Sequence, residues 1–175
     1  METPKRYCIT FAGAVGCSKT PIANYLSTYL NLPVFNNDAI RTEVTEDVGH
    51  FDVEEYNKRQ AQRSRAVLAS GISFIYDASV DRKWAEAEKE FKQAGYRLFV
   101  ISFDLSYGML LKLYAAKGYT QGDRLPLLIQ QHDAFLKQYG DVVGLHITDE
   151  QFSDRLSLAK EHVTRWLAAE KLSTE

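Results

Sequence analysis

Residues 7 to 20, Tyr-Cys-Ile-Thr-Phe-Ala-Gly-Ala-Val-Gly-Cys-Ser-Lys-Thr, constrain the chain more than any other stretch. An apolar run from Tyr7 to Phe11 reads as a strand, a loop of small residues follows, and the loop ends in Lys19-Thr20. Ile22, Ala23, Leu26, Tyr29 and Leu30 then recur at three- and four-residue spacing, the pattern of an amphipathic helix. Strand, glycine loop, Lys-Thr and helix in that order are the context of a phosphate-binding P-loop. Backbone N–H groups of such a loop point inward and the helix N-terminus adds partial positive charge, so a polyphosphate is cradled. The seat spans Gly13, Ala14, Val15, Gly16, Cys17, Ser18, Lys19 and Thr20. Lys19 would reach the β- and γ-phosphates of ATP, and the Thr20 hydroxyl would ligate magnesium.

Two residues depart from the motif Gly-x-x-x-x-Gly-Lys-Ser/Thr. Ser18 stands at the second glycine, where a Cβ demands an uncrowded backbone conformation, while Gly16 adds a flexible point inside the loop. Pro21 offers no N–H to a phosphate, although proline is tolerated in a first helical turn. The alternative is a glycine-containing strand-to-helix turn that binds nothing.

A chain of 175 residues with 45% hydrophobic residues fits one domain, 1–175, with a substantial core. No apolar stretch approaches the ~20 residues of a spanning helix, and the N-terminus lacks the apolar segment of a secretory signal. A cytoplasmic protein without membrane contact is expected. A formal net charge of −2 argues against coating extended nucleic acid, but leaves room for a local basic cleft. Cys8 and Cys17 have no metal-ligand spacing and read as free thiols, Cys17 beside a helix N-terminus able to lower its pKa. His50, His132, His146 and His162 are scattered and read as incidental.

Further strands are expected at Leu32–Phe35, Ile72–Tyr76, Arg97–Phe103 and around Leu145–Ile147. Helical patterns lie between them at 53–70, 81–94, 105–117 and 125–138, and a last helix carries Leu156, Ala159, Val163, Trp166 and Leu167. Alternation of strands and helices predicts an α/β fold around a parallel, doubly wound sheet. Ligands of such sheets bind beyond the carboxyl ends of the strands. The glycine loop, Asp38 and Asp77 each follow an expected strand at that end, so three polar features converge on one edge.

Asp38 is placed to accept the proton of an attacking hydroxyl; its plain role would be an N-cap. Arg41 lies one turn further if a helix starts at Asp38, with a planar fork suited to phosphate. Asp77 is placed near magnesium and its waters, or else merely opens the Asp77–Asp81 turn. Kinases of this architecture close a mobile lid over the phosphates. Lys112, Lys117 and Arg124 are the available cations, and Lys117 is preferred because Gly118 beside it allows a hinge. The basic run Lys58-Arg59, Arg63 and Arg65 reads first as a solvated helix face.

Together, Gly13–Thr20, Asn37-Asp38-Ala39-Ile40-Arg41, Tyr76-Asp77-Ala78-Ser79-Val80-Asp81-Arg82, Ala94-Gly95-Tyr96 and the Leu111-Lys112 to Lys117-Gly118 segment resemble a known family. It is the small P-loop kinases grouped with the kinase domain of bacteriophage-type polynucleotide 5′-hydroxyl kinase, and more distantly zeta toxins and chloramphenicol phosphotransferase. The resemblance covers roughly residues 6 to 140. It implies a P-loop NTPase fold, three layers α/β/α, with a mostly parallel five-stranded sheet and a short helical lid at about 105–125. It also implies ATP- and magnesium-dependent phosphorylation of a hydroxyl on a small molecule, nucleoside or nucleic-acid 5′ end. In that scheme Lys19 and Thr20 take the P-loop roles, Asp38 is the general base, Arg41 contacts substrate or transferred phosphate, and Asp77 closes the third strand block. Where the family carries two arginines near the end of the lid helix, this chain has Leu113 and Lys117. A catalytically weakened nucleotide-binding protein is the alternative. A hydrolase or switch lacks a dedicated water-positioning glutamine. The sequence names neither the phosphate acceptor nor an oligomeric state.

Overall fold

Alternate residues of the first strand, β1 (Arg6–Ala12), face opposite sides of a sheet, and this alternation organises the whole molecule. In the computed structural model, which describes residues 5–120 and 122–172, Ile9 and Phe11 enter one core while Cys8 and Ala12 enter two others behind the sheet. The strand β4 (Tyr96–Phe103) repeats the pattern, with Phe99, Ile101 and Phe103 on the first side and Val100 on the second. A strand apolar on both sides requires cover on both faces, which parallel sheets receive from their crossover helices.

The sheet contains β2 (Val34–Asn36), β3 (Phe74–Ser79), β1, β4 and β5 (Val143–Ile147) in that spatial order, and every pairing is parallel. Helices α1 (Lys19–Leu30) and α7 (Arg155–Leu172) pack together on one face. They bury Ile22, Ala23, Leu26, Ala159 and Val163 against Ile9, Phe11 and Ile101. Helices α3 (Val53–Ser70), α4 (Trp84–Gln93) and α6 (Leu125–Tyr139) supply Leu68, Phe91, Trp84 and Phe135 to the other face. The result is three layers, α/β/α. Burial of a side chain such as Phe11, fully removed from water, stabilises the fold by about 1.5–3 kcal/mol.

Helix α2 (Asn37–Val48) follows β2 without a loop, because the Asn36 side chain accepts the Asp38 N–H at 2.7 Å and caps it. The cap is therefore Asn36 and not Asp38, which sits in the first turn. Helix α5 (Tyr107–Ala116) starts under a Ser106 cap and ends at Lys117, followed by Gly118 with φ +67°. Of the expected lid segment, Gln121 lies outside the described residues. Residues 81–94 are a 3-10 turn, Asp81–Lys83, followed by α4, and not one continuous helix. The run Lys58–Arg65 is largely paired: Arg59 contacts Glu55 and Asp47, and Arg63 contacts Glu43, so much of it ties α3 to α2.

Strand β3 carries an irregularity that matters for the site. Ile9 lies opposite Ile75, but Phe11 lies opposite Ser79, so four residues of β3 run past two of β1. The Thr10 hydroxyl faces the Tyr76 and Ala78 carbonyls across this widened stretch. Asp77 falls within it, inside the strand and not at its end as expected, and pairs with Asn36 of β2. Among the described residues, no helix is long and apolar enough to cross a membrane.

Candidate active site

The loop from Gly13 to Ser18 turns at three residues with positive φ: Gly13 at 127°, Gly16 at 79° and Ser18 at 82°. At the two glycines a Cβ would collide with neighbours. At Gly13 it would lie 2.9 Å from the Phe103 Cβ, and at Gly16 2.9 Å from the Tyr114 ring. Ser18 adopts a full left-handed conformation (ψ 33°) with an L side chain, so the strain expected where the motif has glycine is present. Pro21 sits in the first turn of α1, where its missing N–H breaks no helical bond.

Lys19 does not swing into solvent. Its ammonium donates to the Ala14 carbonyl at 2.6 Å and the Gly13 carbonyl at 3.2 Å, and lies 3.3 Å from the Cys17 sulfur. The charge is thus folded over the concave side of the loop. Cys17 is fully buried, and burial pushes its thiol pKa up despite the nearby Lys19 charge. The expected depression by the helix N-terminus is overridden, and Cys17, fully buried, does not line the cleft in front of the loop.

A cleft of about 470 Å³ opens in front of the loop. Ser18, Lys19, Thr20, Asp38 and Asp77 all line it. Asp77 accepts the Asn36 side-chain amide at 3.1 Å, and the Thr20 hydroxyl lies near enough to favour its ionised form. Burial pushes the Asp77 pKa up, while the Thr20 hydroxyl and the Lys19 charge hold it back and the charge of Asp38 adds to the rise. A desolvated carboxylate beside a hydroxyl, short of positive charge, is a donor set that a hard dication satisfies with oxygen. Thr20 and Asp77 therefore fit magnesium.

Lys117, the C-cap of α5, reaches the cleft and donates to the Gly16 carbonyl at 2.7 Å. Its stem is exposed, but desolvation of the ammonium against the loop lowers its pKa. Tyr119 follows it and packs edge-on to Tyr114, ring centroids 5.3 Å apart, over Gly16. Arg41 is placed differently from expectation. Its guanidinium carbon lies 3.9 Å from the Phe51 ring centroid, and the residue does not line the cleft. The loop joining α2 to α3 brings Phe51 under it, and a cation–π contact holds the arginine there.

Several residues at the site were not singled out by sequence reasoning. Asn36 links the α2 cap to Asp77; Tyr56, Asn57 and Gln60 of α3 and Arg82 and Lys83 line the same cleft as Asp38. Behind the loop, Ser79 donates to the Gly13 carbonyl at 2.5 Å and the Gly13 N–H donates to Asp81 at 3.0 Å. The amide of Gly13 therefore faces away from the seat. His132, read as incidental, contacts both Asp81 and Asp104. Asp81 lay within a recognisable block, but nothing local in the sequence pointed to a histidine 51 residues away.

Neither a protein-family profile nor a curated protein sequence matches the chain. Solved structures do. A gluconokinase from Sinorhizobium meliloti 1021 superposes with a TM-score of 0.68 at 15% identity, covering 99% of this chain and 100% of that one. Shikimate kinase from Acinetobacter baumannii, in complex with shikimate, gives 0.59 at 16% identity over 94% of each chain. APS kinase from Mycobacterium tuberculosis, in complex with AMPPNP and APS, gives 0.52 at 16% identity over 90% of this chain and 99% of that one. The chain has the fold of small P-loop kinases.

Proposed function

We propose that this protein is a phosphotransferase that moves the γ-phosphate of ATP, with magnesium, to a hydroxyl group of a small molecule. One observation carries the reading: a concave loop holding an inward-folded Lys19, and the Thr20–Asp77 pair, share a single cleft with Asp38. Lys19 would exchange the Gly13 and Ala14 carbonyls for the β- and γ-phosphates, stronger partners for an ammonium. Thr20 and Asp77 would hold magnesium, which when bound neutralises charge on the phosphate oxygens. Asp38 would orient the acceptor hydroxyl and take its proton, and Lys117 would bring a compact positive charge to the same phosphates. Arg41 joins this set only by leaving Phe51.

The acceptor side is lined by amides and phenols, Asn37, Asn57, Gln60, Tyr56 and Tyr76, together with Arg82 and Lys83. That wall suits a compact polyhydroxy compound bearing an anionic group. The structural neighbours include enzymes named for gluconate and shikimate, which fits the same class. A 5′-hydroxyl end, as the polynucleotide kinase resemblance implies, remains the other acceptor to test. The buried unpaired thiols of Cys8 and Cys17 suit a reducing cytoplasm.

A second reading, a nucleotide-binding protein with weakened turnover, is favoured by three features: the strained Ser18, the stacked Arg41 and a lid cation that is lysine. Calorimetric titration of magnesium-ATP into wild type and Lys19→Ala, followed by transfer assays on sugar acids, polyols, nucleosides and 5′-hydroxyl oligonucleotides, separates the readings. Binding lost in Lys19→Ala and transfer lost in Asp38→Asn support the kinase. Binding without transfer to any acceptor supports the second reading, and no binding by wild type removes both.

A further inference from the structure

Gly13 is held at both of its main-chain polar groups by residues from one short segment, Ser79 on the carbonyl and Asp81 on the N–H. The Asp81 oxygen that accepts the Gly13 N–H at 3.0 Å also lies 3.1 Å from His132 Nδ1. The other ring nitrogen, Nε2, lies 3.0 Å from Asp104 Oδ1. Asp104 also receives the Ser102 hydroxyl, and its second oxygen lies 2.5 Å from His146 Nδ1. The Phe135 ring stacks beside the His132 imidazole. The side chains of His132 and Asp81 are 7% and 4% exposed, whereas His146 at the far end is 47% exposed.

We propose that His132 is a positioning residue of the phosphate site: bridging Asp81 and Asp104, it fixes the carboxylate that pins Gly13 and so sets where the loop leaves β1.

The chemistry of the ring supports a doubly protonated bridge. A neutral imidazole has one donor and one acceptor, so it cannot donate to two carboxylates at once; only the imidazolium can. Burial opposes the charge, but hydrogen bonds donated to the two carboxylates, and their negative charges, outweigh it and raise the His132 pKa to about 9. Burial likewise opposes ionisation of Asp104, and hydrogen bonds from His132, Ser102 and His146 overcome it, lowering the pKa to about 2. The same competition leaves Asp81 below its ordinary range. The titratable and charged groups around the ring are Asp81 from the turn before α4, Asp104 after β4, His146 from β5 through Asp104, and Lys19 of α1 through Asp81. Among the described residues no three His, Cys, Asp or Glu side chains form a metal cage, so the four groups act on one another.

Because the folded pKa lies above the unfolded one, the stability that the bridge contributes is fully present below about pH 6.5 and is lost as pH rises through about 9, where the folded ring gives up its second proton. An Asp81 released from the ring would keep only the Arg82 and Gly13 N–H groups as partners, and the Gly13 amide would have a less firmly fixed acceptor. The inference concerns the phosphate site of the proposed kinase, but its test does not depend on ATP.

The test is a nitrogen-15 and proton NMR titration of the whole chain from pH 7 to 9.5, with amide exchange measured on wild type and His132→Gln. Both His132 ring nitrogens should carry protons at pH 7.5 and lose one near pH 9, and the Gly13 amide shift should follow with the same midpoint. In His132→Gln the Gly13 amide should exchange at least tenfold faster, while Val100 and Ile101 in the sheet keep their wild-type rates. A neutral ring at pH 7.5, or a Gly13 amide indifferent both to the titration and to the substitution, overturns the proposal. Should His132→Gln not fold, the wild-type titration decides alone. Should wild type bind no magnesium-ATP, the kinase reading falls while the Gly13 result still stands or falls separately.

Discussion

The rear and the front of the glycine loop are held by opposite means. At the rear, Gly13 is fastened by Ser79 and Asp81, with His132 and Asp104 behind them, all in partly or fully buried surroundings. At the front, Gly16 is held by one ammonium, Lys117, and by the ring edges of Tyr114 and Tyr119, on a segment whose cations are exposed. Buried charge-assisted bonds are expensive to break singly, whereas exposed ones exchange with water at little cost. The loop thus has a fixed root and a releasable cover, which is what a site needs if it must keep its shape while ligands enter and leave.

The sharpest way to break the contrast is Asp81→Ala. It strands a buried imidazolium against one carboxylate and leaves the Gly13 amide without its acceptor. A loss of about 3–5 kcal/mol is expected from removing one partner of a buried pair, read as a lower urea midpoint. A loss below about 1 kcal/mol, the range of exposed pairs, would mean that the rear is no firmer than the front.

The two glycines offer a paired test. An alanine at Gly13 puts a methyl 2.9 Å from the Phe103 Cβ and 3.2 Å from its carbonyl oxygen, atoms on a core strand that cannot move aside. At Gly16 the obstacles are side-chain ring atoms alone, Tyr114 Cε1 at 2.9 Å and Tyr119 Cε2 at 3.1 Å; Tyr114 is buried in the core and Tyr119 is exposed. Both substitutions carry the left-handed penalty, about 1–2 kcal/mol, and both add an overpacking cost within about 1–3 kcal/mol, but only Gly13→Ala presses on main-chain atoms as well. Thermal unfolding should therefore rank Gly13→Ala as the more damaging. Equal losses would show that the buried Tyr114 ring yields no more readily than the main chain of β4.

Ser18→Gly should act in the opposite direction, and weakly. Glycine relieves about 1–2 kcal/mol of left-handed strain but returns about 0.4–1 kcal/mol of unfolded-chain entropy. A net gain of about 0.5–1 kcal/mol is expected from those two terms, measured by denaturant unfolding, with tighter magnesium-ATP binding if the serine also crowds the seat. Destabilisation on this substitution would mean that the serine side chain supports the loop.

What the sequence disclosed follows the same division. The loop, its flanking strand and helix, and the alternating α/β order were legible because each is written in contiguous residues: Tyr7 to Leu30 alone encode strand, turn and amphipathic helix. The parallel sheet followed from alternation of apolar runs with helical periods. Asp38 and Asp77 were singled out because expected strand ends pointed to them; both line the cleft, although Asp77 lies inside β3. The rear support was not legible, since Asp81, Asp104 and His132 come from three elements, and only folding brings a histidine on α6 beneath a glycine after β1. The displacement of Arg41 was equally hidden, because it depends on where the loop carrying Phe51 falls. The widened stretch of β3 that sets Asp77 in the cleft has no residue signature either.

Lys117 gives the smallest structural effect and the most direct view of the front. Lys117→Met keeps the stem length and the packing over Tyr119 while removing the ammonium that holds the Gly16 carbonyl. The residue is exposed, so unfolding stability should change by no more than about 0.5 kcal/mol, as for surface substitutions generally. In the proposed kinase, however, its ammonium, already seated on the Gly16 carbonyl, would serve as the lid cation, and a positive charge brought to a developing phosphate charge acts mainly in the transition state. The variant should then bind magnesium-ATP nearly as wild type does and transfer phosphate at least tenfold more slowly. Because desolvation lowers the Lys117 pKa, the wild-type rate should begin to fall at a lower pH than an ordinary lysine would impose, and this limb should vanish in Lys117→Met. A variant with an unaltered rate and an unaltered alkaline limb would make Lys117 a surface charge that merely rests on Gly16, and the front of the loop would then have no catalytic cover among the described residues.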